Sequence, residues 1–167
     1  KAIDLNPEND HAYAGLGQFY QDQGKSLKAE DLFKKAIALN PKNDHAYSEL
    51  GYLYLDQGRI SQAEESFKKA IALNPKDDNG YFGLGRLYRA QGKSLQAEDL
   101  FKKAIELNSK NDHAYVELGR FYRTQGKSSQ AEELFKKAIE LNLKNDHAYY
   151  ELGRFYRDQG KISQAED

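Results

Sequence analysis

The stretch DHAYVELGRFYRTQGKSSQAEELFKKAIELNLKN, Asp112 to Asn145, decides the fold. Tyr115, Leu118, Gly119 and Tyr122 fall at the three-and-four spacing of a helix buried along one face. Beyond Gln125-Gly126-Lys127, a second run through Ala131, Leu134, Phe135, Ala138, Ile139 and Leu141 keeps that spacing, so the stretch reads as a helical hairpin. Asn111 and Asp112 are good caps for the first helix, and Gly126 supplies the turn after it. Ser129 and Glu132 have capping-box spacing and predict the start of the second helix, as do Ser61 with Glu64 and Ser163 with Glu166; Ser26 and Ser94 stand one place earlier. Gly119, Ala131 and Ala138 are small enough for the two backbones to come close, with Tyr115 and Phe135 filling the remaining space.

The same pattern extends in both directions. Lys-Ala-Ile recurs at Lys1, Lys35, Lys69, Lys103 and Lys137, a period of thirty-four residues without an insertion. Such a period signals a solenoid, in which each unit contacts only its neighbours and none buries its apolar face alone. Helices this short are marginal in water, so packing between helices and between repeats must hold them. Four full repeats span residues 10–43, 44–77, 78–111 and 112–145. Residues 1–9 read as the end of a preceding second helix and 146–167 as a truncated fifth repeat, all in one continuous domain.

These residues closely resemble the tetratricopeptide repeat. The first aromatic position is Tyr13, Tyr47, Tyr81, Tyr115 and Tyr149, where the family commonly has Trp. Leu-Gly follows at Leu16-Gly17, Leu50-Gly51, Leu84-Gly85, Leu118-Gly119 and Leu152-Gly153, and the later Tyr at Tyr20, Tyr54, Tyr88, Tyr122 and Tyr156. Ala29, Ala63, Ala97, Ala131 and Ala165, with Phe33, Phe67, Phe101 and Phe135, complete the second helices. The pattern departs at the helix-ending proline: Pro7, Pro41 and Pro75 give way to Ser109 and Leu143, and without proline's steric stop those two junctions are expected to extend or fray. Leu143 is expected to be an exposed apolar contact. The resemblance implies an all-α fold, an α-solenoid of right-handed superhelical twist whose first helices line a concave groove.

Composition narrows the function. Net charge is −1 and the sequence pI about 6.5, against a whole-chain attraction to nucleic acid or anionic membrane. No cysteine is present, which removes disulfides, thiolate metal sites and cysteine nucleophiles. No apolar run approaches the roughly 20 residues needed to span a bilayer, so a soluble segment without membrane contact is expected, with the cytoplasm the favoured compartment. The absence of any methionine fits a fragment of a longer chain.

Second helices carry acid-to-lysine pairs four residues apart, Glu30 to Lys34, Glu64 to Lys68, Glu98 to Lys102 and Glu132 to Lys136, which read as a solvated convex face. Arginine is placed differently. Apart from Arg59, it occurs as i,i+3 pairs on first helices: Arg86 with Arg89, Arg120 with Arg123, Arg154 with Arg157. The resemblance implies that these positions face the groove, together with Gln18, Tyr52, Phe82, Val116 and Tyr150, where guanidinium groups engage carboxylates or phosphate. A competing reading pairs Glu117 with Arg120 and Glu151 with Arg154 along one helix. Gly83 leaves Arg86 without such an acid, so the third and fourth repeats are the best anion-binding candidates. Asp22, Glu49 and Asp56 make the early groove acidic, and Glu151 and Asp158 offset the last arginines, which suits a partner of patterned charge.

His11, His45, His113 and His147 stand one per repeat, with Asn79 in the remaining place. Stacked repeats keep them roughly 8–10 Å apart, too far to share a metal. Acids and serines recur at capping and charge-ladder positions and form no asymmetric catalytic constellation, so neither enzyme activity nor a cofactor is expected. The reading is therefore a non-catalytic scaffold that binds a protein or extended peptide, an acidic segment suiting the middle repeats. One alternative is a structural array that self-associates head to tail, the Asp167 end against the Lys1 end. A lesser one is single-stranded RNA binding, which the mixed groove charge opposes.

Overall fold

The computed structural model describes residues 6–160, and among them every regular element is an α-helix. First helices are α1 (Asp10–Asp22), α3 (Asp44–Asp56), α5 (Asp78–Ala90), α7 (Asp112–Thr124) and α9 (Asp146–Asp158). Second helices are α2 (Ser26–Leu39), α4 (Ile60–Leu73), α6 (Ser94–Leu107) and α8 (Ser128–Leu141). The chain falls into two compact units divided between Leu87 and Tyr88. In the first, α1 packs on α2, α3 on α4, and α1 on α3; in the second, α7 packs on α8 and on α9. This is the expected stack of helical hairpins. The capping pair at Ser163 and Glu166, Ala165 and the proposed contact between the chain ends lie outside the described residues.

Local chemistry sets each boundary. Asn9, Asn43, Asn111 and Asn145 cap first helices, their Oδ1 atoms accepting from the N–H of Ala12, Ala46, Ala114 and Ala148 at 3.0, 2.8, 2.9 and 2.9 Å. At the other end Gly126 takes φ 71°, open to glycine at no steric cost. Its N–H donates to the Arg123 carbonyl at 3.1 Å and that of Lys127 to the Tyr122 carbonyl at 3.0 Å, a Schellman ending.

That turn corrects the expected second-helix starts. The caps are Lys25, Arg59, Lys93 and Lys127, none with a side-chain cap bond, and Ser61 and Ser129 lie inside the first turn. The backbone supplies the start instead, the Lys127 carbonyl accepting from Ala131 N–H at 3.1 Å. The junctions without proline are corrected too: α6 and α8 stop at Leu107 and Leu141, the same repeat position as Leu39 and Leu73. Asparagine makes the stop. Asn108 and Asn142 are extended, and their Oδ1 atoms accept from the N–H of Lys110 and Lys144 at 3.0 and 3.1 Å. Asn142 and Asn145 also donate to Asp112 Oδ2, both at 2.8 Å, tying the end of a repeat to its beginning; Asn40 and Asn43 do the same to Asp10, both at 2.8 Å.

Phe33, Phe67, Phe101 and Phe135 are fully buried, and Phe33, Phe67 and Phe135 fill the centres of their hairpins. A Cβ at Gly17, Gly51 or Gly119 would lie 2.6, 2.7 or 2.7 Å from the facing phenylalanine ring. Gly83 meets the Phe67 ring in the same way. Glycine is required there by space, not by backbone angle.

Successive repeats are pinned by an acid on the second helix. Tyr54, Tyr122 and Tyr156 donate their hydroxyls to Glu30, Glu98 and Glu132 at 3.1, 3.2 and 2.9 Å. The same acids pair with Lys34, Lys102 and Lys136 at 2.7, 2.6 and 2.7 Å, so these i,i+4 pairs also serve as seams. At Glu30, Arg59 adds a bond of 2.7 Å and lays its guanidinium 4.0 Å over the Tyr54 ring.

Gly119→Ala is expected to lower stability by about 1–3 kcal/mol in urea unfolding, because the Phe135 ring has to leave its rotamer. A second expectation concerns acid. Arg59, foremost, holds the Glu30 carboxyl down from 4.5 to about 2, against the opposing effect of its burial. A depressed acid contributes stability above its unfolded value and loses it as pH falls through the folded one. Unfolding followed between about pH 5 and pH 2 is expected to show a loss that Glu30→Gln flattens.

Candidate functional site

Among residues 88–160, arginines from three first helices meet. Arg89 lies near the end of α5, Arg120 and Arg123 one turn apart on α7, and Arg154 on α9. Together with Phe121 and Thr124 they line a cavity of about 290 Å³. Spacing of three along a helix puts a pair on one face, and stacking first helices turns the pairs into a cluster.

Such a cluster needs counter-charge, and two buried glutamates supply it. Glu117 is 6% exposed and Glu151 1% exposed. Arg89 Nη1 lies 3.0 Å from Glu117 Oε2, and Arg120 Nη1 3.6 Å from Glu117 Oε1. Glu151 takes Arg120 Nε at 3.5 Å and Arg123 Nη2 at 3.4 Å, while Arg123 Nη1 reaches Asp158 at 2.9 Å. Arg120 Nη1 also lies 3.2 Å from His147 Nε2. The pairing within a helix thus holds for Glu117 with Arg120 and is corrected for Glu151, which binds arginines of the preceding repeat instead of Arg154. Arg154 and Arg157 are exposed and form no ion pair among the described residues.

Among residues 6–87 the surface differs. Arg86 sits 5.9 Å over the Tyr52 ring, whose hydroxyl donates to the Asn79 carbonyl at 3.0 Å. Burial pushes the Tyr52 hydroxyl pKa up, with Arg86 opposing. Burial likewise raises the Glu49 carboxyl; His45, 3.9 Å away, pulls it down and Asp22 pushes it further up. This stretch of surface is acidic and aromatic.

Gln18 and Tyr150 are exposed, and Phe82 is half-buried. Val116 is corrected: it is completely buried and packs in the core, so it offers no groove surface. The cavity brings together Arg89, Arg120, Arg123 and Arg154 and leaves out Arg157. Sequence reasoning missed Glu151 as the holder of Arg120 and Arg123. The signal was available, since Arg123 and Glu151 sit one repeat less six residues apart, as do Arg89 and Glu117. Among the described residues no three His, Cys, Asp or Glu side chains group as metal ligands, and no helix is long and apolar enough to cross a membrane.

Chemically the cavity presents four guanidinium groups, most of them oriented by carboxylates behind them, and an aromatic wall at Phe121. Oriented guanidinium matches a planar carboxylate through paired N–H donors.

Tetratricopeptide repeat family models match residues 8–76, 48–112, 88–138 and 134–167. No curated protein sequence matches the chain. The chain is similar to the crystal structure of MamA, at 29% identity over 89% of this chain and 87% of that one, with a TM-score of 0.69. It is also similar to TTC0263, a thermophilic TPR protein of Thermus thermophilus, at 24% identity over 93% and 86% of the two chains and a TM-score of 0.81. YrrB, a TPR protein with an unusual peptide-binding site, matches at 22% identity over 99% and 85% with a TM-score of 0.66.

The pairing geometry separates structural from free arginines. Glu151→Gln keeps the side-chain volume but removes the charge from Arg120 and Arg123, and is expected to cost about 2–3 kcal/mol in urea unfolding. Arg154→Ala is expected to change stability by less than about 0.5 kcal/mol.

Proposed function

Because the chain belongs to the tetratricopeptide repeat family, we propose that it is a non-catalytic scaffold that holds a protein or extended peptide through an acidic side chain. The observation that carries this reading is the convergence of Arg89, Arg120, Arg123 and Arg154 on one cavity of about 290 Å³. Glu117 and Glu151 keep three of those arginines in place, so the site is organised before a ligand arrives and less ordering entropy opposes binding. Arg154 supplies the charge that no acid among the described residues takes up. Phe121 gives the ligand backbone or an apolar neighbour a surface to lie on. The unusual peptide-binding site of YrrB supports peptide recognition on this fold without fixing its location here.

A nucleic-acid partner fits less well. The cavity is small and backed by two carboxylates, and Asp22 and Glu49 carry acid on the other unit. A repeating phosphate backbone requires cations spaced along its length.

Binding to an array of peptides, glutamate-containing and otherwise, provides the test. Arg154→Ala is the informative variant, because replacing Arg120 or Arg123 orphans Glu151 and confounds binding with folding. Arg154→Ala is expected to weaken the best acidic peptide about tenfold, and Arg157→Ala to leave it nearly unchanged. Equal affinity of Arg154→Ala and the parent chain for every acidic peptide rejects the arginine site.

A further inference from the structure

A larger hollow lies among residues 6–87. It holds about 830 Å³, between α2 and α4 and over α3. Ile37, Tyr47, Leu50, Tyr54 and Ala72 make its apolar lining, and Ser66 borders it from α4. A departure from the repeat deepens the hollow at one point. Ser66 stands where the other second helices have Leu32, Leu100 and Leu134, so this repeat lacks one isobutyl group at a buried position. The missing group points to what fits there: a leucine-sized aliphatic side chain, whose burial is favourable.

The chain itself presents such a group. Leu143 is 73% exposed in the loop between α8 and α9, at the position held by Pro7, Pro41, Pro75 and Ser109 elsewhere. Asn142 ends α8 without its help, so nothing in the local fold uses this side chain. Each feature has an acid and a lysine beside it. Glu65 and Lys69, on the rim of the hollow, form no ion pair among the described residues, and neither do Lys144 and Asp146 beside Leu143. Lys144 complements Glu65, and Asp146 complements Lys69. With a net charge of −1, two copies meet without general repulsion.

We propose that the Leu143 loop of one copy docks into the Ser66 groove of a second copy. Each copy carries one groove and one loop, so the contact is heterologous and propagates unless its rotation closes a ring. It differs from a contact between chain ends, because it uses neither terminus. A single leucine anchor makes it weak, with association visible at concentrations up to about 1 mM.

Sedimentation velocity across that range tests the proposal with two conservative variants. Ser66→Leu restores the side chain that the other repeats carry, and Leu143→Ser restores the residue found at Ser109; both retain the fold. Each variant alone is expected to raise the dissociation constant about tenfold or more. An equimolar mixture of the two is expected to recover a dimer, since one partner keeps the loop and the other the groove. A monomeric parent chain overturns the proposal, and if its groove still takes up a leucine-containing peptide, the occupant is a foreign partner. Association untouched by either variant, or a mixture that stays monomeric, overturns it as well.

Discussion

A phenylalanine ring set against a glycine is the constraint on which the rest of the structure depends. Phe33, Phe67 and Phe135 occupy the space that a Cβ at Gly17, Gly51 and Gly119 would need, which brings the two helices of a hairpin to close approach. The close approach decides which residues are left to meet their neighbours. Tyr54, Tyr122 and Tyr156 reach back to acids on the preceding second helix, and Arg89 and Arg123 reach forward to acids on the following first helix. A looser hairpin would leave the buried Glu30, Glu117 and Glu151 without donors, at a cost of order 1–3 kcal/mol each.

The seams between repeats therefore carry two kinds of work. On the second-helix side, Glu30, Glu98 and Glu132 each accept from a tyrosine and pair with a lysine one turn on, which fixes the next repeat. On the first-helix side, Glu117 and Glu151 are buried more deeply and face guanidinium groups that remain partly accessible. The first arrangement ends in itself, whereas the second holds a set of donors open toward a cavity. One principle, an acid paired across a repeat boundary, builds the scaffold on one side and a binding surface on the other.

The helical hairpin, its period and its asparagine caps were legible in the sequence, because helix spacing and capping are local properties. What was misread is non-local or depends on the backbone. Ser61 and Ser129 have the spacing of caps, yet the Schellman turn at the preceding glycine starts the helix before them. Ser109 and Leu143 promised frayed junctions, but Asn108 and Asn142 end the helices without proline. Val116 shares its repeat position with the exposed Tyr150 and is itself completely buried, so the position does not fix the environment. Glu151 fits the i,i+3 spacing of its own helix, yet the stack offers it guanidinium groups one repeat back, a pairing visible in the sequence only once the recurrent spacing of Arg89 with Glu117 and Arg123 with Glu151 is compared.

Departures from the repeat then acquire different meanings according to what surrounds them. Gly83 in place of the acid at Glu117 and Glu151 leaves a first helix closed on Phe67, and Arg86 settles over Tyr52 instead of over a carboxylate. Ser66 in place of leucine borders a hollow at a position where the other second helices carry an isobutyl group. Arg154 repeats the residue at Arg120 but is exposed, while Arg120 is half-buried against two acids and a histidine. Identical residues at equivalent positions thus divide into those that hold the stack and those left able to hold something else. The division follows from how many satisfied partners each already has, which is why partner geometry, more than residue type, locates function on a repetitive surface.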